Sequence, residues 1–270
     1  ATEVIKGMKT NKAPGADGLG VEFYKEFWPE VQDLVLRSLN EAFNHGHLSY
    51  TQRKGVISLL FKGGDKEEIE NWRPITLLNT DYKILAMILS KRLQKVLPDI
   101  INEDQVGYLK GRNGASNARL IQDVIEYHSR KCIDGAIIYA DFRKAFDNLE
   151  WQYIDKCLQL YGFKQSFRSW VSVLYTNPCL SVAVNGWFTE NFKPSRGVRQ
   201  GCPLSALLFI LCVEVLSNKI RQDKTIKGLK VGDQPDELKL VQFADDISLF
   251  VQDIKYGENA IKAIEEFGKV

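Results

Sequence analysis

The sequence predicts an α+β protein. Apolar residues at helical spacing alternate along it with short apolar runs of strand character bounded by Gly, Pro or acidic turns. In addition, Leu180 to Phe192 alternates around Asn185-Gly186, a strong short-range hairpin signal.

Taken in order, Val4, Ile5 and Met8, then Phe23, Phe27, Val31, Leu34, Val35, Leu39 and Phe43, fall near helical spacing. They lie on either side of a Gly- and Pro-containing stretch at 11–20, so two helices joined by an irregular loop are predicted. Val56 to Phe61 is a short apolar run ended by Gly63-Gly64 and an acidic loop, and the stretch from Trp72 to Leu78 is also extended, which predicts a strand pair. Ile84, Leu85, Ile88, Leu89, Leu93, Val96 and Leu97 form one stripe of a helix expected to stop at Pro98. Gln105 to Arg119 carries Lys110, Arg112 and Arg119, three glycines and no acid, so composition reads it as a mobile, solvated basic loop. Ala136 to Ala140 is a compact apolar run with Asp141 at its end, expected of a strand buried on both faces. A helix at Trp151 to Tyr161 follows, then a mostly apolar helix from Pro203 to Arg221. Leu240 to Val251 is a second strand pair, broken only by Ala244-Asp245-Asp246. Ala1 opens directly into a helical pattern and Val270 falls inside another, as expected of a piece excised from a larger protein.

With 270 residues and 44% hydrophobic content, the chain can bury a substantial core as one large domain or two small ones. It has no apolar run of membrane-spanning length and no secretory pattern at the start, so a soluble intracellular protein with no membrane partner is expected. Thirty-six basic against 34 acidic residues give a net charge of +2, so any basic surface must be local. The five cysteines are widely spaced with no Cys-x-x-Cys pair, which reads as buried free thiols. His45 and His47 have no third ligand nearby in the sequence.

The chemistry is concentrated in acids. Asp245 and Asp246 lie between the apolar runs 240–243 and 247–250, where adjacent carboxylates repel unless cations neutralise them. Carboxylate oxygens are also the donors that Mg²⁺ prefers. An ordinary exposed Asp-Asp turn would look similar. Asp141 shifts the balance, because it too stands at the end of an apolar strand, and two such strands side by side would gather three carboxylates. Three acids suffice for two ions about 3.5–4 Å apart, the arrangement that serves phosphoryl transfer. Asp147 is a rival acid, but its position just before a helix suits a cap or first-turn charge.

Six stretches carry a resemblance: KAPGADG at 12–18, WRPITLL at 72–78, DQVGY at 104–108, DFRKAFD at 141–147, RQGCPLS at 199–205 and FADD at 243–246. In this order and spacing the chain resembles the reverse transcriptases of non-LTR retrotransposons over essentially its whole length. The resemblance implies a right-hand polymerase with fingers at 1–134, including a template-binding loop at 104–119, and a palm at 135–270 whose antiparallel sheet is flanked by helices, with the thumb missing. It implies RNA-directed DNA synthesis from dNTP onto a DNA primer along an RNA template. Two Mg²⁺ ions, replaceable by Mn²⁺, would be held by Asp141, Asp245, Asp246 and the backbone carbonyl of Phe142.

Phe146 looks like the steric gate that selects deoxynucleotides, although composition alone would make it a core aromatic. Arg73 and Lys62 look like the triphosphate cations, with Lys54 or Lys66 as alternatives to Lys62. Gln200, beside Gly201, looks like the residue that packs against the incoming nucleotide. Gln105, Lys110, Arg112 and Arg199 are the expected template contacts. For Arg199 and its neighbour Arg196, a structural ion pair is the competing reading. Asp17 has no evident chemical role, and its loop is as readily structural.

By the same resemblance the endonuclease, thumb and C-terminal domains of the intact protein lie outside this chain. The protein would occupy nucleus and cytoplasm within a ribonucleoprotein. A group II intron or retron type reverse transcriptase, or a non-catalytic RNA-binding fragment, is the alternative.

Overall fold

The computed structural model describes residues 1–232 and 237–268. In chain order the helices are α1 (Thr2–Gly7), α2 (Val21–Glu26), α3 (Trp28–His45), α4 (Tyr50–Arg53), α5 (Thr80–Gln94), α6 (Leu97–Ile100), α7 (Gly114–Lys131), α8 (Ala145–Asn148), α9 (Trp151–Leu160), α10 (Gln165–Tyr175), α11 (Ser205–Gln222) and α12 (Ile254–Phe267). The strands are β1 (Lys54–Phe61), β2 (Trp72–Leu78), β3 (Ala136–Asp141), β4 (Cys179–Val184), β5 (Trp187–Phe188), β6 (Leu240–Phe243) and β7 (Asp246–Val251). The chain is therefore a mixed α/β protein with one mixed and one antiparallel sheet. It forms two compact units, each assembled from two segments: 1–93 with 146–205, and 94–145 with 206–270.

The first unit holds a four-stranded sheet in the order β2-β1-β4-β5. β1 and β2 pair antiparallel, with Leu60 opposite Arg73 and Phe61 opposite Trp72. Pro74 is tolerated because β2 is an edge strand. The hairpin β4–β5 turns at Asn185 and Gly186, with φ of 50° and 84°, the signs required by a tight type I′ connection. β4 also pairs parallel with β1, which local pattern did not announce. Val4, Ile5, Met8, Val21, Tyr24, Trp28 and Ile84 pack as one cluster, and Trp28 donates its indole N–H to Thr2 Oγ1 at 3.0 Å. The single helix expected across 23–43 is two, broken at Phe27, because the ring of Pro29 restricts the residues before it.

The second unit is a three-stranded antiparallel sheet, β3-β7-β6, covered on both faces. Ile247, Leu249 and Val251 pack with Leu216 and Ile220 of α11 and Ala260 and Ala263 of α12. On the opposite face Phe250 and Val241 pack with Val124 of α7. Strand alternation thus assigns even and odd residues of β7 to different helices.

Several expectations are corrected. β3 is an edge strand with Tyr139 67% exposed, not a strand buried on both faces. Pro98 lies in the first turn of α6 and starts a helix, where its missing N–H costs nothing, after α5 has ended at Gln94. The second half of the supposed mobile loop 105–119 is helical, because Asn113 caps α7 by accepting from the Ala115 N–H at 3.0 Å. Cys132 is exposed, whereas Cys157, Cys202 and Cys212 are buried as expected. The expectation that Val270 is helical lies outside the described residues. Among the described residues no helix is long and apolar enough to cross a membrane.

Candidate active site

Antiparallel register places Asp141 directly opposite Asp246 and Phe243 on the other side of Asp246, so the three form one row across the end of the second unit's sheet. Alternation along β7 puts Asp246 on the face of Phe250, and along β3 it puts Asp141 on the face of Ile137 and Tyr139. Directly opposed residues of such a pair hold their Cβ atoms about 4.5–5.5 Å apart. Both carboxylates are exposed, and neither is taken up by a side-chain partner among the described residues. Asp245 stands beside them, half-buried, in the turn after Ala244. Among the described residues, no three His, Cys, Asp or Glu side chains close into a metal cluster. The structure thus juxtaposes two acids by register and a third by chain adjacency. Facing carboxylates are a hard-oxygen donor set that fits a divalent ion. The ring of Phe142 packs against Phe209 and Phe267, with centroids 6.5 and 5.5 Å away, which anchors the backbone just beyond Asp141.

The segment 101–112 leads directly to this turn. Gln105 is 1% exposed, and its amide bonds to Ala244 and Gly107, so it has no free group for the template contact expected of it. Arg112 is half-buried and donates to the carbonyls of Ile101, Asn102 and Gln105, which makes it a brace of the loop rather than an open phosphate ligand. Lys110 is exposed. Asp104 receives two bonds from Arg221, both 2.7 Å, and Arg221 also reaches Glu214 at 2.8 Å. Burial pushes the Glu214 carboxyl up by more than the Arg221 hydrogen bond draws it down. Burial opposes the charge of Arg221 itself, but its two acid partners outweigh that and hold the guanidinium above its ordinary range.

The residues read as nucleotide contacts lie in the first unit. Arg73 is exposed on β2. Lys62 is exposed just past β1, two residues on from Leu60, with its amide donating to Asn71 O at 2.8 Å. The alternatives are otherwise engaged: Lys54 lies over the Tyr50 ring and Lys66 over Phe61. Gln200 is half-buried, and its carbonyl accepts from the Thr76 N–H at 2.7 Å. The Phe146 carbonyl accepts from Val198 N at 2.7 Å. Arg73, Gln200 and Phe146 therefore hang on one backbone framework. Gly201 is obligatory there, since its φ is +118° and a Cβ would meet Thr76 O at 2.5 Å.

Arg199 departs from expectation. It is 7% exposed and its guanidinium lies 4.8 Å over the ring of Tyr82, whose hydroxyl donates to Cys202 Sγ at 3.7 Å. Among the described residues both terminal nitrogens are buried without a hydrogen-bond partner, so Arg199 forms neither an open template contact nor a structural ion pair there. Arg196 is exposed. Asp17 accepts from the Leu19 N–H at 3.0 Å, a loop-forming role. His45 and His47 stack 6.2 Å apart and gather no further metal ligand among the described residues.

Residues 62–270 match the family model described as reverse transcriptase (RNA-dependent DNA polymerase). The chain belongs to the reverse transcriptase family. Among relatives, the Transposon TX1 uncharacterized 149 kDa protein of Xenopus laevis is 37% identical over 98% of this chain and 20% of its own length. The Pol polyprotein from type-2 retrotransposable element R2DM of Drosophila melanogaster is 31% identical over 91% of this chain and 22% of its own. That from type-1 retrotransposable element R2 of Popillia japonica is 28% identical over 91% and 33%. These are non-LTR retrotransposon proteins, in agreement with the resemblance read from the motifs. The reverse transcriptase chain spans about a fifth to a third of their length. Reverse transcriptases generally use divalent metal ions.

Proposed function

We propose that this chain is the fingers and palm of a non-LTR retrotransposon reverse transcriptase, with fingers at 1–134 and palm at 135–270. It joins dNTP to a DNA primer along an RNA template. The observation that carries the reading is the register of β3 and β7, which sets Asp141 against Asp246 at an open sheet end in a chain of this family. Two Mg²⁺ ions, or Mn²⁺ in their place, would be held by Asp141, Asp245, Asp246 and the Phe142 carbonyl. When bound, they would supply the positive charge that phosphoryl transfer requires.

The chain's own groups do the rest. Arg73 offers a guanidinium fork and Lys62 a point charge to the triphosphate, each exposed for the purpose. Gln200, held to β2 through its carbonyl, supports the incoming nucleotide, and Phe146 acts as the gate against a ribose 2′-hydroxyl. Lys110 supplies a sequence-independent contact to the RNA backbone. In the reaction the primer 3′-hydroxyl attacks the α-phosphate and pyrophosphate leaves. Endonuclease, thumb and C-terminal domains belong to the longer protein in this reading, which places the activity in a ribonucleoprotein of nucleus and cytoplasm.

The test is extension of a DNA primer on an RNA template with and without Mg²⁺, for the chain and for Asp245→Asn/Asp246→Asn. Metal-dependent extension lost in the variant, with RNA binding retained, supports the reading. RNA binding without extension in either would leave an RNA-binding module.

A further inference from the structure

The turn that presents Asp245 and Asp246 is not self-supporting. Ala244 adopts φ +59°, a conformation that residues with a side chain adopt reluctantly, and the turn before β7 is short. Its peptide groups are instead gripped by a side chain 139 positions earlier. Gln105 Oε1 accepts from the Ala244 N–H at 2.9 Å and from the Gly107 N–H at 2.8 Å, while Gln105 Nε2 donates to the Ala244 carbonyl at 3.2 Å. Both backbone groups of Ala244 are therefore satisfied by one buried amide. Gly107 makes the approach possible, because a Cβ there would lie 2.4 Å from Ala244 N.

The gripping residue is itself fixed. The Val106 N–H donates to the Gln242 carbonyl at 3.0 Å and the Gln242 N–H to the Asp104 carbonyl at 2.8 Å, so the segment 104–106 runs alongside β6. Ser217 Oγ of α11 donates to the side-chain oxygen of Gln242 at 2.7 Å. Arg221 holds Asp104 by two bonds, and Arg112 holds the carbonyl of Gln105 at 2.7 Å. Gln105 thus joins a braced loop to the peptide immediately before the two acids.

We propose that Gln105 is a positioning residue that locks the Ala244-Asp245 turn and so sets the direction of the Asp245 and Asp246 carboxylates. The proposal rests on the reading of those acids as cation ligands. A side chain that orients a ligand without touching the ion changes affinity through geometry alone, typically by about 10- to 100-fold.

The test uses the 270-residue chain and Gln105→Met, which keeps the side-chain length and removes all three bonds. Gln105→Glu keeps the two accepted bonds but sets a second carboxylate oxygen against the Ala244 carbonyl in place of the donated one. Amide exchange at Ala244 is followed by NMR without metal, with Leu249 in the middle of β7 as internal reference. Mn²⁺ affinity is measured by electron paramagnetic resonance. The expected result for Gln105→Met is at least about tenfold faster exchange at Ala244 with Leu249 unchanged, and Mn²⁺ binding weakened by about 10- to 100-fold. Gln105→Glu should likewise quicken exchange at Ala244 with Leu249 unchanged, and it carries that comparison should Gln105→Met lose its cooperative melt.

Wild-type exchange at Ala244 with wild-type Mn²⁺ affinity would overturn the proposal. So would loss of protection at Leu249 in step with Ala244 in both variants, which would make Gln105 an ordinary packing residue. Asp245→Asn/Asp246→Asn separates the two layers. Mn²⁺ binding that survives there overturns the ligand reading and this proposal with it. Binding lost there but untouched in Gln105→Met overturns this proposal alone.

Discussion

Replacing Gly201 with Ala tests how the nucleotide-side framework is held. A Cβ at 201 would sit 2.5 Å from the Thr76 carbonyl oxygen, and φ is +118°, where an L side chain is strained in any case. Strain of this kind costs about 1–3 kcal/mol. Relieving the overlap pulls residue 201 off β2 and lengthens the 2.7 Å bond between Thr76 N and Gln200 O, worth about 1 kcal/mol more at a buried position. The sum is roughly 2–4 kcal/mol. Gly186→Ala is the matched control, because φ there is also positive at 84° but no atom lies within 4 Å, so only strain remains, about 1 kcal/mol. Urea unfolding followed by tryptophan fluorescence measures both, and Gly201→Ala should in addition raise KM for dNTP through displacement of Gln200. If Gly201→Ala were no more destabilising than Gly186→Ala and left KM unchanged, the close approach of residue 201 to β2 would not be what holds Gln200.

Four further outcomes are expected. Phe146→Ala should reduce discrimination between dNTP and rNTP by up to about 100-fold in single-nucleotide extension, and unchanged discrimination would return Phe146 to an ordinary aromatic. Arg221→Met should destabilise the chain by about 3–5 kcal/mol in urea, because Glu214 and Asp104 lose the cation that compensates their burial. Lys110→Ala should lower the salt slope of RNA binding by about 1. Arg112→Ala should leave that slope alone and cost about 1–3 kcal/mol of stability, because the carbonyls of Ile101 and Gln105 lose their donor while that of Asn102 keeps the Gln105 N–H, so a matching loss of slope would mean that Arg112 contacts phosphate after all.

Local signals carried much of the fold. Asn185-Gly186 fixed a hairpin because only positive φ closes it, and the helix at Trp151 was legible from spacing alone. α10 went unread although Phe167, Trp170, Val171 and Leu174 follow helical spacing, so the signal was present. β3 looked doubly buried because five apolar residues in a row do not reveal that the strand is at a sheet edge with Tyr139 facing out. The parallel pairing of β1 with β4 joins segments more than 120 residues apart, which periodicity cannot encode.

At the candidate site, Asp141, Asp245 and Asp246 stood out because charge interrupts apolar strands. Gln105 did not, because in a basic, glycine-rich stretch a polar amide resembles a surface contact. Its burial depends on a turn reached only after folding. Arg199 was misjudged for the same reason, since nothing local discloses that Tyr82 lies beneath its guanidinium.

Crystals soaked in Mn²⁺ and dNTP, with data collected at the manganese absorption edge, would bear most directly on the polymerase reading. It predicts anomalous peaks coordinated by Asp141 together with Asp245 or Asp246. Manganese bound elsewhere, with the end of β3 and the β6–β7 turn left bare, would contradict it.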